Sequence, residues 1–495
     1  MGERIKDKTE ITAGMKALGI IMGASLGGMM WRFRGTHGYG GSWGLIAVGT
    51  ALALLIYAFY GKRIKHGFKL LPVLAISAGL TVTGWGACNS LLSGSISSIA
   101  AFPDGAEKVL PFGQGSALAV MLLMGFGLSC LFGTFCGTLF SDRGYKAYHY
   151  LIYIAVFFAV SYIFKATLSH ALIKVIAPQA VEYFKDGIAA AGKSGSPWKV
   201  YMSHFDNIPW GKKIPFGRCY FEIIEHISHS AGALALVVTA LAVFKDKITA
   251  AVSLAFDFVC AFAITAADFF NVSGTGAGVI AKIPKLRPFT ENSWSTWEFF
   301  TGFFIGLGLM LILAFASKTS VNKESQTSGK KAGAKTRLFG AFTAFTYLFA
   351  AVPMRAAALH ITDFLEESGV IKDESPFDII GTVLLSVTAA AFIFRVLKKK
   401  IYNTADGSVE SVSLDAFAKK ALFCYVLFAA VTFFLLPTGY LWELPWGRGF
   451  FEKMISPGYF WNVLTSAAFA VWALVCGCAF GRKSEKRGRQ NRTDN

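Results

Sequence analysis

Charge is scarce in this sequence, and negative charge scarcest. Of 495 residues only 16% are charged, and 30 Asp and Glu stand against 48 Lys and Arg. Soluble domains carry about a quarter charged residues, so a string of soluble domains is excluded, although the length would hold roughly three. No Cys-x-x-Cys pair occurs. Cys88, Cys130, Cys136, Cys260, Cys424, Cys476 and Cys478 lie in apolar runs, and only Cys219 falls in a polar one. That pattern excludes a disulfide framework and a thiol zinc site. No strand precedes the one Gly-rich segment, so a nucleotide fingerprint is absent and ATP-driven transport by this chain alone is not expected. No small-residue cleavage site follows the first apolar run, where Gly27-Gly28-Met29-Met30-Trp31 continues into Arg32.

What is abundant is apolar sequence: 54% of the chain, with a mean hydropathy of +0.50. The runs are apolar on all sides and of helix length, about 17–25 residues, where a barrel strand would alternate over about ten. Lipid offers the backbone no water, so each run satisfies its own hydrogen bonds as a helix. An all-α polytopic membrane protein of about twelve spans follows, near 12–31, 44–60, 70–92, 116–140, 148–164, 229–244, 248–270, 297–316, 338–358, 378–397, 417–436 and 458–480.

With both termini in the cytoplasm, the cytoplasmic segments hold about twice as many Lys and Arg as the outer ones, as the positive-inside rule requires. The net charge of +18 is thus read as topology in a plasma membrane and affinity for anionic headgroups. Nucleic acid is not an expected partner, because the basic residues are scattered over separate loops.

The organisation reads as a transmembrane unit at 1–146, a second at 147–317 with a long outer loop at about 166–228, a cytoplasmic linker at 318–336, a third unit at 337–480 and a basic tail at 481–495. Faint repetition supports three related four-helix units. Ala51-Leu52-Ala53-Leu54 recurs as Ala233-Leu234-Ala235-Leu236, and Gly125-Phe126-Gly127-Leu128 meets Gly306-Leu307-Gly308-Leu309. Repeats of this kind are common in transporters. Ser141-Asp142-Arg143-Gly144-Tyr145-Lys146 resembles the Asp-Arg loop of major facilitator transporters, but it follows span four rather than span two and lacks the usual Gly/Arg spacing. It therefore identifies no family.

Two constellations carry chemistry. Trp31 to Gly44 joins the first two spans with Arg32, Arg34, His37, Trp43 and five glycines. Glycine lets backbone amides approach a ligand, the next helix offers its positive end, and the Arg fork suits carboxylate or phosphate. The alternative is Arg snorkelling to headgroups over a close-packed turn. Arg355 and His360 repeat the Arg32–His37 spacing, and Arg218 precedes span six. An outer anion-binding vestibule of Arg32, Arg34, Arg218 and Arg355 is the expectation.

The second constellation is Glu222, Glu225, His226 and His229. On a helix Glu222, His226 and His229 share a face, fit to relay protons or bind a divalent metal, or simply to form a solvated helix entrance. No resident cofactor is expected otherwise. Asn89, Asp257, Asp268, Asn271 and Glu298 are polar groups inside spans, where acids face a cavity or a partner. Asn89, Asp268, Asn271 and Glu298 join the candidate substrate-binding set. Tryptophans near the outer face, among them Trp294, Trp297, Trp442 and Trp446, read as an aromatic belt.

The expected function is therefore a secondary, ion-coupled transporter of a small anionic or polar solute, favoured over an enzyme. The alternative is a membrane-embedded enzyme acting at the outer face on lipid-linked or glycan substrates. Ionisable residues converging near mid-membrane would favour the first, and convergence wholly at the outer surface the second.

Overall fold

The computed structural model describes residues 13–36, 42–61, 64, 70–82, 99–101, 107–109, 113–190, 218–268, 293–319, 365, 368–370, 418–419 and 422. The helices are α1 (Ala13–Thr36), α2 (Ser42–Tyr60), α3 (Leu71–Leu80), α4 (Gln114–Phe126), α5 (Cys130–Thr138) and α6 (Ala147–Ala166). They continue with α7 (Ser169–Ile176), α8 (Pro178–Ala190), α9 (Arg218–Val238), α10 (Lys247–Asp268) and α11 (Ser293–Thr319). Apart from a short antiparallel ribbon pairing Ile99–Ala101 with Glu107–Val109, the described residues form helices and their connections.

Among the described residues, five stretches are long and apolar enough to cross a membrane: Ala13–Arg32, Ala147–Ala166, Cys219–Val243, Lys247–Asp268 and Trp297–Ser317. The α4–α5 pair, bent by 45°, makes a sixth if it counts as one broken span, and Gly44–Tyr60 is a shorter apolar helix. These match seven of the twelve expected runs. Of the run at 70–92 only Leu70, α3 and the two residues after it are described, and the spans expected at 338–358, 378–397, 417–436 and 458–480 lie almost wholly outside the described residues. One boundary moves. The span expected to begin at 229 starts at Cys219, so Glu222, Glu225, His226 and His229 lie within it.

The chain divides into two compact units, one of Met1–Gly79 with Leu313–Asn495 and the other of Leu80–Ile312. In the first, α1 packs on α2, and Gly49 of α2 sits where a Cβ would clash with Ala78 of α3. In the second, α10 packs along α4 and α5, while α9 packs against α6 and α4. Helices in lipid gain no hydrophobic drive from meeting one another, so their association rests on close approach of small residues. Gly125, Gly133 and Gly137 supply it towards α10, against Cys260, Phe256 and Thr249 in turn, Gly232 brings α9 onto Phe157 and Ser161 of α6, and Gly308 of α11 meets Val259. The outward faces stay apolar, with Leu151, Phe158, Tyr162 and Ile163 of α6 and Phe258 and Phe262 of α10 exposed. That is the surface a lipid environment accepts.

One end of this unit is tied by two short connections. α9 runs out in a π-helical turn, Thr239–Val243, and Lys245 reverses the chain with a left-handed φ of 53°. Asp246 then caps α10, its carboxylate accepting from the Ile248 and Thr249 amides at 3.1 and 3.0 Å and from the Thr249 hydroxyl at 2.6 Å. From the α5–α6 connection Arg143 donates to the Phe244 carbonyl and stacks over its ring at 5.2 Å. Burial would push the Asp246 carboxyl up, but the hydroxyls of Ser141, Thr249 and Tyr145 and the Thr249 amide outweigh it and hold the group below its ordinary value.

A candidate functional site at a broken helix

The sequence Gly125-Phe126-Gly127-Leu128-Ser129 ends one helix and starts another. α4 stops at Phe126, and the next helical hydrogen bonds begin from the Ser129 carbonyl, which accepts from Phe132 at 2.9 Å. Between them Ser129 takes a left-handed φ of 51°, a conformation that costs a non-glycine residue about 1–2 kcal/mol. Its amide donates at 3.2 Å to the Thr81 carbonyl, so a neighbouring segment satisfies what the interrupted helix gives up. Irregular backbone at membrane depth is tolerated only where protein covers it or a cavity receives it.

The two flanking helices fix what faces the break. α10 runs antiparallel to α4 and α5. Gly125 lies against Cys260 and Ala261, Gly133 against Phe256, the Thr134 hydroxyl 2.7 Å from that of Ser253, and Gly137 against Thr249. By that register Ser129 falls level with the stretch 257–260, which places Asp257 beside the break. Cys130 on α5 and Cys260 on α10 both lie within electrostatic reach of Asp257. Asp257 is fully buried, and neither carboxylate oxygen has a hydrogen-bond partner among the described residues. It stands halfway along the 22-residue apolar stretch Lys247–Asp268.

α9 closes the other side. A Cβ on Gly127 would sit 2.7 Å from the His229 Cβ, and the Ser230 hydroxyl donates to the Leu123 carbonyl at 3.0 Å. The His229 ring lies 5.2 Å from that of Phe157. One helical turn away His226 is fully buried, and neither ring nitrogen has a partner among the described residues. Towards the start of α9 the polar groups pair instead. Lys165 donates to Glu225 at 2.9 Å, the Ser169 and Ser228 hydroxyls meet at 2.9 Å, and the His170 Nδ1 lies 2.7 Å from the Tyr220 hydroxyl. Burial pushes His170 down to about 4, reinforced by Lys174 and opposed by a hydrogen bond with the Lys165 backbone.

The expected site residues are distributed as follows. Glu222 and His226 are buried in α9, while Glu225 and His229 are half-buried. Arg32 and Arg34 are buried in the last turns of α1, with the Arg34 guanidinium 5.0 Å from the Trp31 ring. Trp43 and Arg218 are placed by backbone alone, at the starts of α2 and α9. Asp268 ends α10 and Glu298 lies in the first turns of α11, both buried. His37, Asn89, Asn271, Arg355 and His360 lie outside the described residues.

Asp257 was marked by its cost at membrane depth but not assigned to a ligand. Ser129, Cys130, Ser230 and Cys260 carried no chemical signal, since each is a small residue in an apolar run. Among the described residues, no three His, Cys, Asp or Glu side chains converge closely enough to hold a metal ion. No protein family, curated protein or solved structure matches this chain, so these residues carry the functional argument themselves.

Proposed function

We propose that this chain is a secondary transporter of a small anionic or polar solute, working with twelve spans in the plasma membrane and both termini in the cytoplasm. The observation that carries the reading is Asp257: a carboxyl with no hydrogen-bond partner among the described residues, buried halfway along an apolar helix, beside a break in the neighbouring one. Acids at that depth are expensive and mark ion or substrate pathways, and discontinuous helices at the midplane build the binding sites of alternating-access carriers. His229 reaches the same break from α9. This convergence supports transport over chemistry at the outer face, where an enzyme would gather its ionisable groups.

Anion preference rests on Arg32 and Arg34. Both are buried in the last turns of α1, and a guanidinium group suits a charge-assisted contact with an anion. Arg218 and Arg355 remain candidates from the sequence alone.

Uptake into proteoliposomes tests the reading, using a panel of radiolabelled small carboxylates, phosphates and neutral sugars under imposed ion gradients. The expected result is gradient-driven accumulation of at least one carboxylate or phosphate, abolished in Asp257→Asn. A folded chain that accumulates no member of the panel, yet turns over a lipid-linked glycan, would replace the transporter with the enzyme.

A further inference from the structure

An isolated carboxylate moved from water into an apolar interior costs so much that the group takes up a proton or a cation instead. Asp257 is in that position. Two thiols lie within electrostatic reach of it, Cys130 on α5 and Cys260 on its own helix. α4 carries no titratable side chain, α11 up to Ile312 carries only Glu298, and α9 brings His229 to the break, with His226 one turn away. None of these is a fixed positive charge. Lys165, the cation described on α6, is paired with Glu225. Among the described residues no cluster of His, Cys, Asp or Glu forms around Asp257, so side chains of those types build no divalent-ion site there.

We propose that Asp257 holds an exchangeable proton and that the proton is the coupling ion of the transport cycle. The second half rests on the transporter reading above; the first does not. In the arrangement described here the carboxyl is neutral and fits its dry surroundings. When the helix break admits water, the same group can release the proton, and a charged Asp257 then disfavours closure until a proton returns. The left-handed Ser129, costly for a non-glycine residue, puts the interruption in the backbone level with the acid.

Dicyclohexylcarbodiimide, an apolar reagent that reaches protonated carboxyls buried in membrane proteins, reads this directly. The carboxyl proton passes to a carbodiimide nitrogen as the carboxylate oxygen adds to its central carbon, and acyl migration leaves an N-acylurea with no leaving group lost. The wild-type full chain in detergent should gain one adduct on the peptide containing Asp257. Labelling should fall by about tenfold per pH unit once the pH exceeds the pKa of the group. Asp257→Asn should give no adduct there, Asp257→Glu should restore it, and sodium chloride should protect no better than choline chloride.

No adduct on the wild-type peptide at any pH between about 5 and 8 would overturn the proposal. So would protection specific to sodium, which would make sodium the ion. Because the readout needs no solute, an adduct on a chain that moves nothing in the transport panel would remove the transporter and leave the exchangeable proton standing.

Discussion

Tyr145 donates its hydroxyl proton to the Asp246 carboxylate across 2.7 Å, tying the α5–α6 connection to the first turn of α10. The same carboxylate caps that helix, so one acid holds two connections and a helix start. Asp246→Ala should cost about 1–3 kcal/mol, from a lost N-cap and a lost charge-assisted hydrogen bond. Its native pKa lies below its ordinary value, so the stability it lends is complete above that ordinary value, near 3.8, and is lost as pH falls through the lower folded value. Thermal unfolding followed by tryptophan fluorescence should show this acid limb in the wild type. Asp246→Asn should start less stable at neutral pH and lose the limb.

His170 gives a second and separate pH window. Its folded pKa is pushed from 6.5 to about 4, so the unfolded chain binds the proton more readily. The contribution of the neutral ring is full above 6.5 and drains away as pH falls towards 4. His170→Gln should flatten the melting curve over that interval while leaving the more acidic Asp246 limb in place. Parallel curves for variant and wild type over the interval would mean that His170 titrates normally in the folded chain.

Two glycines of one helix should respond oppositely to alanine. A Cβ on Gly125 meets the Cys260 carbonyl and the Ala261 backbone, whereas around Gly115 nothing lies within 4 Å. Gly125→Ala should lose about 1–3 kcal/mol by overpacking. Gly115→Ala should be neutral or gain up to about 1 kcal/mol from helix propensity. Melting temperatures of the pair in one detergent check the contrast, and equal shifts would remove the close α4–α10 contact.

Arg32→Lys and Arg34→Lys test the vestibule. If each guanidinium binds an anion through two hydrogen bonds, losing one should cost about 1.5–3 kcal/mol, a ten- to hundredfold rise in the half-saturating concentration. Uptake per folded molecule is the measurement, and near-normal values in both variants would dismiss an anion site there.

Orientation is open to cysteine accessibility. Single cysteines at positions 104, 199 and 367 should react with an impermeant maleimide from the outer side, and those at positions 65, 331 and 487 only from the inner side. Reversal at two of the six would overturn the topology.

The apolar runs were legible because summed hydropathy reports what lipid accepts. The start of α9 was not. Glu222, Glu225 and His226 depress hydropathy and suggest a solvated entrance, yet Lys165 pairs with Glu225 and Ser169 meets Ser228, so α6 and α7 supply partners to part of this face. The break was hidden for the reverse reason. Gly125 to Ser129 is apolar or small throughout, and no hydropathy sum registers a left-handed Ser129. Asp257 stood out as an acid in an apolar run, but its place opposite that break depends on the register between α5 and α10. One chain read alone does not contain that register.

The spacing across the break has a consequence of its own. Gly125, Ser129, Gly133 and Gly137 recur at every fourth position, so the phase of the small-residue row continues from α4 into α5 although the axis turns by 45°. The three residues between the helices therefore behave as a counted spacer. Removing or inserting one would rotate α5 by about 100° about its axis, swinging Gly133 and Gly137 off α10 and presenting bulkier neighbours in their place. Side chains within 127–129 can be exchanged more freely than their number, and among natural variants of this chain the length of that segment should vary less than its composition.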